Sequence, residues 1–287
     1  MPATDSLAVW TEHDVKETLP VRAASSHKGS HGTGLLIAGS RDMPGAALLA
    51  GLGAMRSGIG KLVIDTDPEA IPVICPTLPE ATYRRRDWDK TAAGSADLGQ
   101  YRAIAAGPGI EPTQESERAF QQLITSPLPL VLDAGALLKR SYNKRTAPTI
   151  LTPHLGEFAR LTDRTATDVQ ENRPHYARML AGELEATIVL KGHETIIAFP
   201  DGESWQNPTG NSALAKGGTG DTLTGMLLGM LCCHDNWKHA VLNAVFLHGA
   251  CADAWTAEYS AHTLLAHELT NRLPEVWRRF EKNEDSL

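Results

Sequence analysis

The sequence predicts an α/β fold: a mostly parallel central sheet with helices on both faces. Three observations predict it. Apolar runs of strand length recur along the chain, most are separated by helix-length stretches, and the last quarter is helical throughout. The runs are continuous rather than alternating, as expected of strands covered on both faces. The first unit has an apolar run at residues 35–38, a turn at Gly39-Ser40, an Ala/Leu/Met-rich stretch at 45–57 and a second run at 62–64, which reads as strand, helix, strand. Further strands are expected at 103–106, 128–132, 149–151, 187–190 and 195–199. Only four residues, Lys191 to Glu194, separate the last two, too few for a crossover helix, so an antiparallel hairpin is expected to end the sheet. Past Gly217, residues Leu223, Met226, Leu227, Met230 and Leu231 fall on one helix face. Helices follow at about 238–259 and 263–280, the last kinked or split by Pro274. No repeat or linker divides the chain, which reads as an N-terminal extension, 1–26, and a single domain, 27–287.

Composition narrows the function. The 287 residues are 42% hydrophobic and 21% charged, ordinary globular usage that excludes a disordered chain. The longest apolar run, 223–233, is about half the roughly 20 residues of a membrane span and contains Thr224, so it reads as a buried helix. The first twenty residues carry Asp5, Glu12, Asp14 and Glu17 and lack a basic signal region, so a cytoplasmic protein is expected. A net charge of -7 opposes general affinity for nucleic acid or anionic membrane. The local run Arg84, Arg85, Arg86 lies beside Asp87 and Asp89 and reads as a solvated loop. Cys75, Cys232, Cys233 and Cys251 show no CxxC spacing, so buried free thiols are expected rather than zinc or disulfides.

In open α/β sheets ligands bind beyond the carboxyl ends of the strands. The residues there are rich in glycine and polar groups: Gly39 and Ser40, then Gly107-Pro108-Gly109, Asp133, Thr152-Pro153-His154 with Glu157, and Lys191-Gly192. Asp133 reads as a cap of the next helix and is left out of the site. The sharpest feature is Asn207-Pro208-Thr209-Gly210-Asn211 followed by Gly217-Gly218-Thr219-Gly220-Asp221, which runs straight into a helix. Glycines there let backbone N–H groups converge on an anion at the helix N-terminus. The loop is neither a P-loop nor a GxGxxG dinucleotide fingerprint. Asp221 either caps the helix or takes a proton from a hydroxyl attacking phosphorus.

Read together, these segments resemble the ADP/ATP-dependent NAD(P)H-hydrate dehydratases of the ribokinase-like superfamily. The resemblance runs from His27 to about Pro274 through His27-Lys28-Gly29-Ser30-His31-Gly32, Gly45-Ala46, Gly107-Pro108-Gly109, Leu132-Asp133-Ala134, Leu151-Thr152-Pro153-His154-Leu155-Gly156-Glu157-Phe158, Val189-Leu190-Lys191-Gly192, and Asn207 through Asp221. It implies a ribokinase-like three-layer sandwich. It also implies repair of (6S)-NADHX or NADPHX, by dehydration coupled to cleavage of ADP or ATP with Mg2+, in a homo-oligomer that by family resemblance is a tetramer.

Carried over by resemblance, Asp221 is the catalytic base. Ala46, Gly109, His154 and Asp221 contact the hydrated nicotinamide nucleotide; Lys191, Gly192, His193, Glu194, Thr195, Gly218, Thr219 and Gly220 contact the adenine nucleotide. Asn207 and Asn211 order the loop, and Glu157 serves a magnesium-bound water network. Two positions depart from the family pattern: Pro44 replaces a small hydroxyl residue before Gly45-Ala46, and Lys216 adds positive charge before the glycine loop. Two other readings use the same loop: a small-molecule kinase of the same superfamily, and a non-catalytic nucleotide sensor.

Overall fold

Buried, mostly apolar runs form the central strands, and the order of strands along the sheet decides which loops meet. In the computed structural model, residues 7–94 and 97–282 are described. The first six residues of the 1–26 extension and the last five of the 27–287 domain lie outside the described residues. The strands are β1 (Ala8–Val9), β2 (Thr33–Ile37), β3 (Lys61–Thr66), β4 (Thr82–Arg85), β5 (Ala103–Ala106), β6 (Leu130–Leu132), β7 (Thr149–Leu151), β8 (Thr187–Leu190), β9 (Ile196–Ala198) and β10 (Ser204–Gln206). They form one sheet in the order β1-β10-β9-β8-β7-β6-β5-β2-β3-β4. Pairing is parallel from β4 through β8, with β2 lying between β3 and β5. The carboxyl ends of β6, β7 and β8 therefore lie side by side, bringing Asp133, His154 and Lys191 to one edge.

The helices are α1 (Glu12–Thr18), α2 (Pro44–Arg56), α3 (Ile71–Ile74), α4 (Trp88–Ala92), α5 (Gln114–Ile124), α6 (Leu155–Thr162), α7 (Ala166–Glu171), α8 (Arg173–Leu184), α9 (Thr219–Cys233), α10 (Trp237–Thr256) and α11 (Ala266–Phe280). Two apolar clusters lie on the two faces of the sheet. One gathers Leu36, Val131 and Val189 with residues of α2, α9, α10 and α11; the other gathers Leu35, Leu132 and Leu190 with residues of α5, α6 and α8. Pro274 sits within α11 without splitting it.

Three expectations need correction. The β8/β9 hairpin is antiparallel, but it does not end the sheet: β10 adds antiparallel to β9, and β1 pairs parallel with β10. Within the 1–26 extension, β1 and α1 are thus part of the fold, and Trp10, Val15 and Leu19 are buried in its core. The run Arg84 to Arg86 is no solvated loop. Arg84 lies in β4 and its Nε donates to the buried carboxylate of Asp65 on β3 (2.6 Å), while Arg86 donates to the Gly39 carbonyl (2.5 Å). Burial of Asp65 demands a cation, and the strand register supplies Arg84 directly opposite it.

The apolar residues of α9 do not form a single stripe, because this helix is buried on all sides, between the sheet and α2, α10 and α11. Its glycines let α2 approach backbone to backbone. A Cβ on Gly225 would stand 1.8 Å from the Ala50 carbonyl oxygen, and one on Gly229 would stand 2.6 Å from that of Ala54. Gly225→Val is therefore expected to cost about 3 kcal/mol, the upper end of ordinary overpacking. A thermal unfolding curve matching that of the parent would refute this account of the helix pair.

Candidate functional site

Polar groups at the carboxyl edge surround a cleft of about 610 Å³, roofed by the N-terminus of α9 and the loop carrying Asn207. Its floor is organised by Asp133, which is buried at the end of β6. One carboxylate oxygen accepts from Lys191 Nζ (2.9 Å) and Thr152 Oγ1 (2.7 Å); the other accepts from Thr224 Oγ1 (2.9 Å), one turn into α9 from Asp221. A buried charge is stable only when paired and hydrogen-bonded, and here all three donors are in place. Burial acts against the Lys191 ammonium, but Asp133, Glu157 and Asp221 outweigh it and hold the amine above its usual range.

Gly218 starts α9 with φ +90, a conformation suited to glycine, and a Cβ there would stand 2.5 Å from Leu49 Cδ1. Helix geometry leaves the N–H groups of Thr219, Gly220 and Asp221 without intrahelical partners, aimed where an anion is favoured. The Nε2–H of the buried His248 donates to the Thr219 carbonyl (2.9 Å). Loss of hydration pulls this imidazole down to about 4, so it is a neutral brace of the first turn at physiological pH. The Asp221 carboxyl is pushed up to about 7, by burial first and the Asp133 charge second, against the pull of Lys191. A carboxyl balanced near neutrality beside free N–H groups is suited to accept a proton while an anion is held next to it.

Of the residues singled out on sequence, His154, Glu157, Lys191, Gly192, His193, Thr195, Asn207, Asn211, Gly218, Thr219, Gly220 and Asp221 line this cleft. Glu194 is absent from the lining but belongs to the same turn, with φ 54. His154 caps α6: its Nδ1 accepts from the N–H of Gly156 (3.0 Å) and Glu157, and its own N–H donates to Glu157 Oε2 (2.8 Å). The imidazole then carries its proton on Nε2, at an exposed position. Asn207 Nδ2 donates to the Thr209 carbonyl and Asn211 Nδ2 to Asp253, fastening the roof to α10. Ala46 and Gly109 do not line the cleft. They adjoin each other beyond β2 and β5, where a Cβ on Gly109 would lie 2.7 Å from that of Ala46. Pro44 opens α2 at a position that needs no N–H donor. Lys216 borders the cleft, and its ammonium is tied to the His262 carbonyl (2.9 Å).

A sequence model of the family described as NAD(P)H-hydrate dehydratase matches residues 34–275, most of the chain and all of this site. The chain belongs to that family. It is 62% identical, over 95% of its length and 98% of the relative's, to the ADP-dependent (S)-NAD(P)H-hydrate dehydratase of Bacillus subtilis (strain 168). The crystal structure of the Bacillus subtilis ADP/ATP-dependent NAD(P)H-hydrate dehydratase co-crystallised with ATP/Mg2+ superposes with a TM-score of 0.94, covering 97% of this chain and all of that one. A ribokinase-like superfamily protein of Enterococcus faecalis V583, 24% identical, superposes with a TM-score of 0.86 over 99% of each chain and shows the shared fold.

Family membership does not by itself single out Asp133, which sequence reasoning assigned to a helix cap. Its side chain makes no cap hydrogen bond to the short turn that follows. Arg173 was also missed. Its guanidinium lies under Gly192 and donates to the carbonyls of Leu190 (3.0 Å) and His193, bracing the turn after β8. Asp253, which holds Gly210 N–H and Asn211, is the third.

Proposed function

We propose that the chain repairs hydrated nicotinamide cofactor, converting (6S)-NADHX or NADPHX to NADH or NADPH with cleavage of ADP, or ATP, to AMP, or ADP, and phosphate. The observation that carries this reading is Asp221, near neutrality in pKa, at the N-terminal turn of α9 beside the free N–H groups of Thr219 and Gly220. Hydroxide leaves a reduced ring poorly. In this scheme Asp221 takes the proton of the substrate hydroxyl as its oxygen attacks the terminal phosphorus, and the N–H groups hold the transferring phosphoryl. The carbon–oxygen bond then breaks, with the ring nitrogen lone pair pushing phosphate out.

Lys191 faces the nucleotide phosphates, and His154 and the Ala46–Gly109 corner face the nicotinamide nucleotide. Among the described residues no group of three His, Cys, Asp or Glu side chains forms a metal cage. Asp133 is occupied by its three donors, whereas Glu157 has one oxygen free of the His154 N–H. That donor set fits Mg2+ held mainly by phosphates and water, with Glu157 reaching it through water. When bound, the ion would neutralise phosphate charge. A homo-oligomer, by resemblance a tetramer, and a cytoplasmic setting belong to the same reading. No helix among the described residues is long and apolar enough to cross a membrane.

The direct test follows the near-ultraviolet absorbance of the reduced ring while the protein acts on prepared NADHX with Mg2+ and ADP or ATP. A nucleotide-dependent rise is expected and identifies the donor. No rise with either donor would turn the assignment toward a small-molecule kinase. The loop has its own test in Gly220→Val. A Cβ there would lie 3.1 Å from Lys191 Nζ, and the branched side chain enters the space assigned to phosphate. ADP affinity measured by calorimetry is expected to fall at least about tenfold, roughly 1.4 kcal/mol; unchanged affinity would place the phosphates elsewhere.

A further inference from the structure

NADHX and NADPHX are dinucleotides, and on the repair activity proposed above the residues assigned so far hold only the nicotinamide half. The sheet order limits where the other half lies. ADP takes the side of Asp133 on which β7 and β8 end, with Lys191 and the Asn207 loop. The adenosine half therefore runs the other way, past the carboxyl ends of β5, β2, β3 and β4.

That edge carries the arginines that the nucleotide cleft leaves unused. Arg41 pairs with Glu69 (3.1 Å), Arg84 pairs with the buried Asp65, and Arg85 is exposed. Arg86, just past β4, is half-buried and forms no ion pair among the described residues. Its guanidinium lies 4.7 Å from the centre of the Trp88 ring, and Nη1 donates to the Gly39 carbonyl (2.5 Å). Nε and Nη2 donate to nothing among the described residues. Neither is among the unpartnered polar atoms sealed inside the fold, so both reach solvent. Those two atoms form the edge of a guanidinium that matches a pair of phosphate oxygens, and the contacts to Trp88 and Gly39 fix it in advance. Burial first acts against the Arg86 charge while Asp65 and Asp67 support it, and a guanidinium stays protonated in such a setting.

Gly39 places this edge relative to the substrate. A Cβ on Gly109 would stand 3.2 Å from Gly39 Cα and 2.7 Å from Ala46 Cβ, so Arg86 holds the far side of the Ala46–Gly109 corner. Gly39 follows β2, two strands from Asp133 at the end of β6, which is roughly 10 Å and comparable to the span of a nucleotide from ring to phosphate. We propose that Arg86 binds the diphosphate bridge of the dinucleotide substrate through its free Nε–H and Nη2–H. The bridge is common to NADHX and NADPHX, so Arg86 serves both.

Steady-state kinetics of the full chain with each substrate, at saturating ADP and Mg2+, test this. Arg86→Gln keeps a donor for the Gly39 carbonyl and loses the charge; Arg86→Lys keeps both. Arg86→Gln is expected to raise KM for NADHX and NADPHX at least about tenfold, and Arg86→Lys by no more than about threefold, with kcat and the KM for ADP retained. NADH carries the same bridge, and its affinity, read from its fluorescence without turnover, is expected to fall in parallel. Equal KM increases in the two variants would mean that Arg86 only orders the Gly39 loop, and unchanged KM and NADH affinity in Arg86→Gln would remove it from binding; either overturns the site. An increase with NADPHX alone would overturn the diphosphate assignment in favour of the 2′-phosphate. A parent that bound NADH in an Arg86-dependent way yet turned over neither substrate would overturn the proposed activity and uphold this site.

Discussion

Asp221→Asn is expected to lower turnover by about a hundredfold or more while ADP affinity stays within about threefold of the parent. The substitution keeps size and removes the ability to accept a proton, so the loss falls on the chemical step rather than on binding. The pH profile gives an independent check. The carboxyl is protonated below about 7, because burial and the Asp133 charge disfavour its ionised form. A base acts only when deprotonated, so kcat/KM of the parent is expected to fall about tenfold per unit as pH drops below about 7. The neighbouring His248, down at about 4, adds no limb in this range. Residual activity in Asp221→Asn should lack the limb. A variant that turned over at the parent rate, or retained the acid limb, would remove Asp221 from the role of base.

The strands that build the catalytic edge were legible because burial on both faces leaves unbroken apolar runs. β5, β7 and β8 occur where Ala103–Ala106, Thr149–Leu151 and Thr187–Leu190 lie in the sequence. β1, β4 and β10 were not, for a physical reason. They are short and partly exposed, and Thr82–Arg85 places Arg84 in a strand because its partner strand carries a buried aspartate nineteen residues earlier. The glycine loop was readable as an anion site because its signal is local: residues 217–221 are contiguous and open a helix. The network beneath it is not local. Asp133 meets Lys191 58 residues away and Thr224 91 residues away, so no window of sequence contains the constellation. One signal was available: an aspartate ending an apolar strand at the edge that also carries His154 and Lys191 is placed for the site as well as for a cap.

Asp133→Asn tests that network through a property a merely structural residue would not change. Asparagine keeps an acceptor for Lys191 and Thr152 but removes the negative charge. Two effects on Asp221 then act in the same direction. The like charge that disfavoured its ionised form is gone, and Lys191, released from its ion pair, attracts Asp221 more strongly. The acid limb of kcat/KM is therefore expected to move from about 7 to lower pH. Turnover on the plateau is expected to fall about tenfold, because a base of lower pKa is a weaker proton acceptor. Stability should fall too, by about 3 kcal/mol, the lower end for breaking a buried pair, since Lys191 keeps Glu157 and Asp221 as partners. Asp133→Ala, which also leaves Thr152 and Thr224 without their acceptor, should be less stable again. A lowered melting temperature with the acid limb unmoved would mean that Asp133 holds the fold and does not tune the base; a shifted limb means that the charge buried under the glycine loop sets the pH at which Asp221 can work.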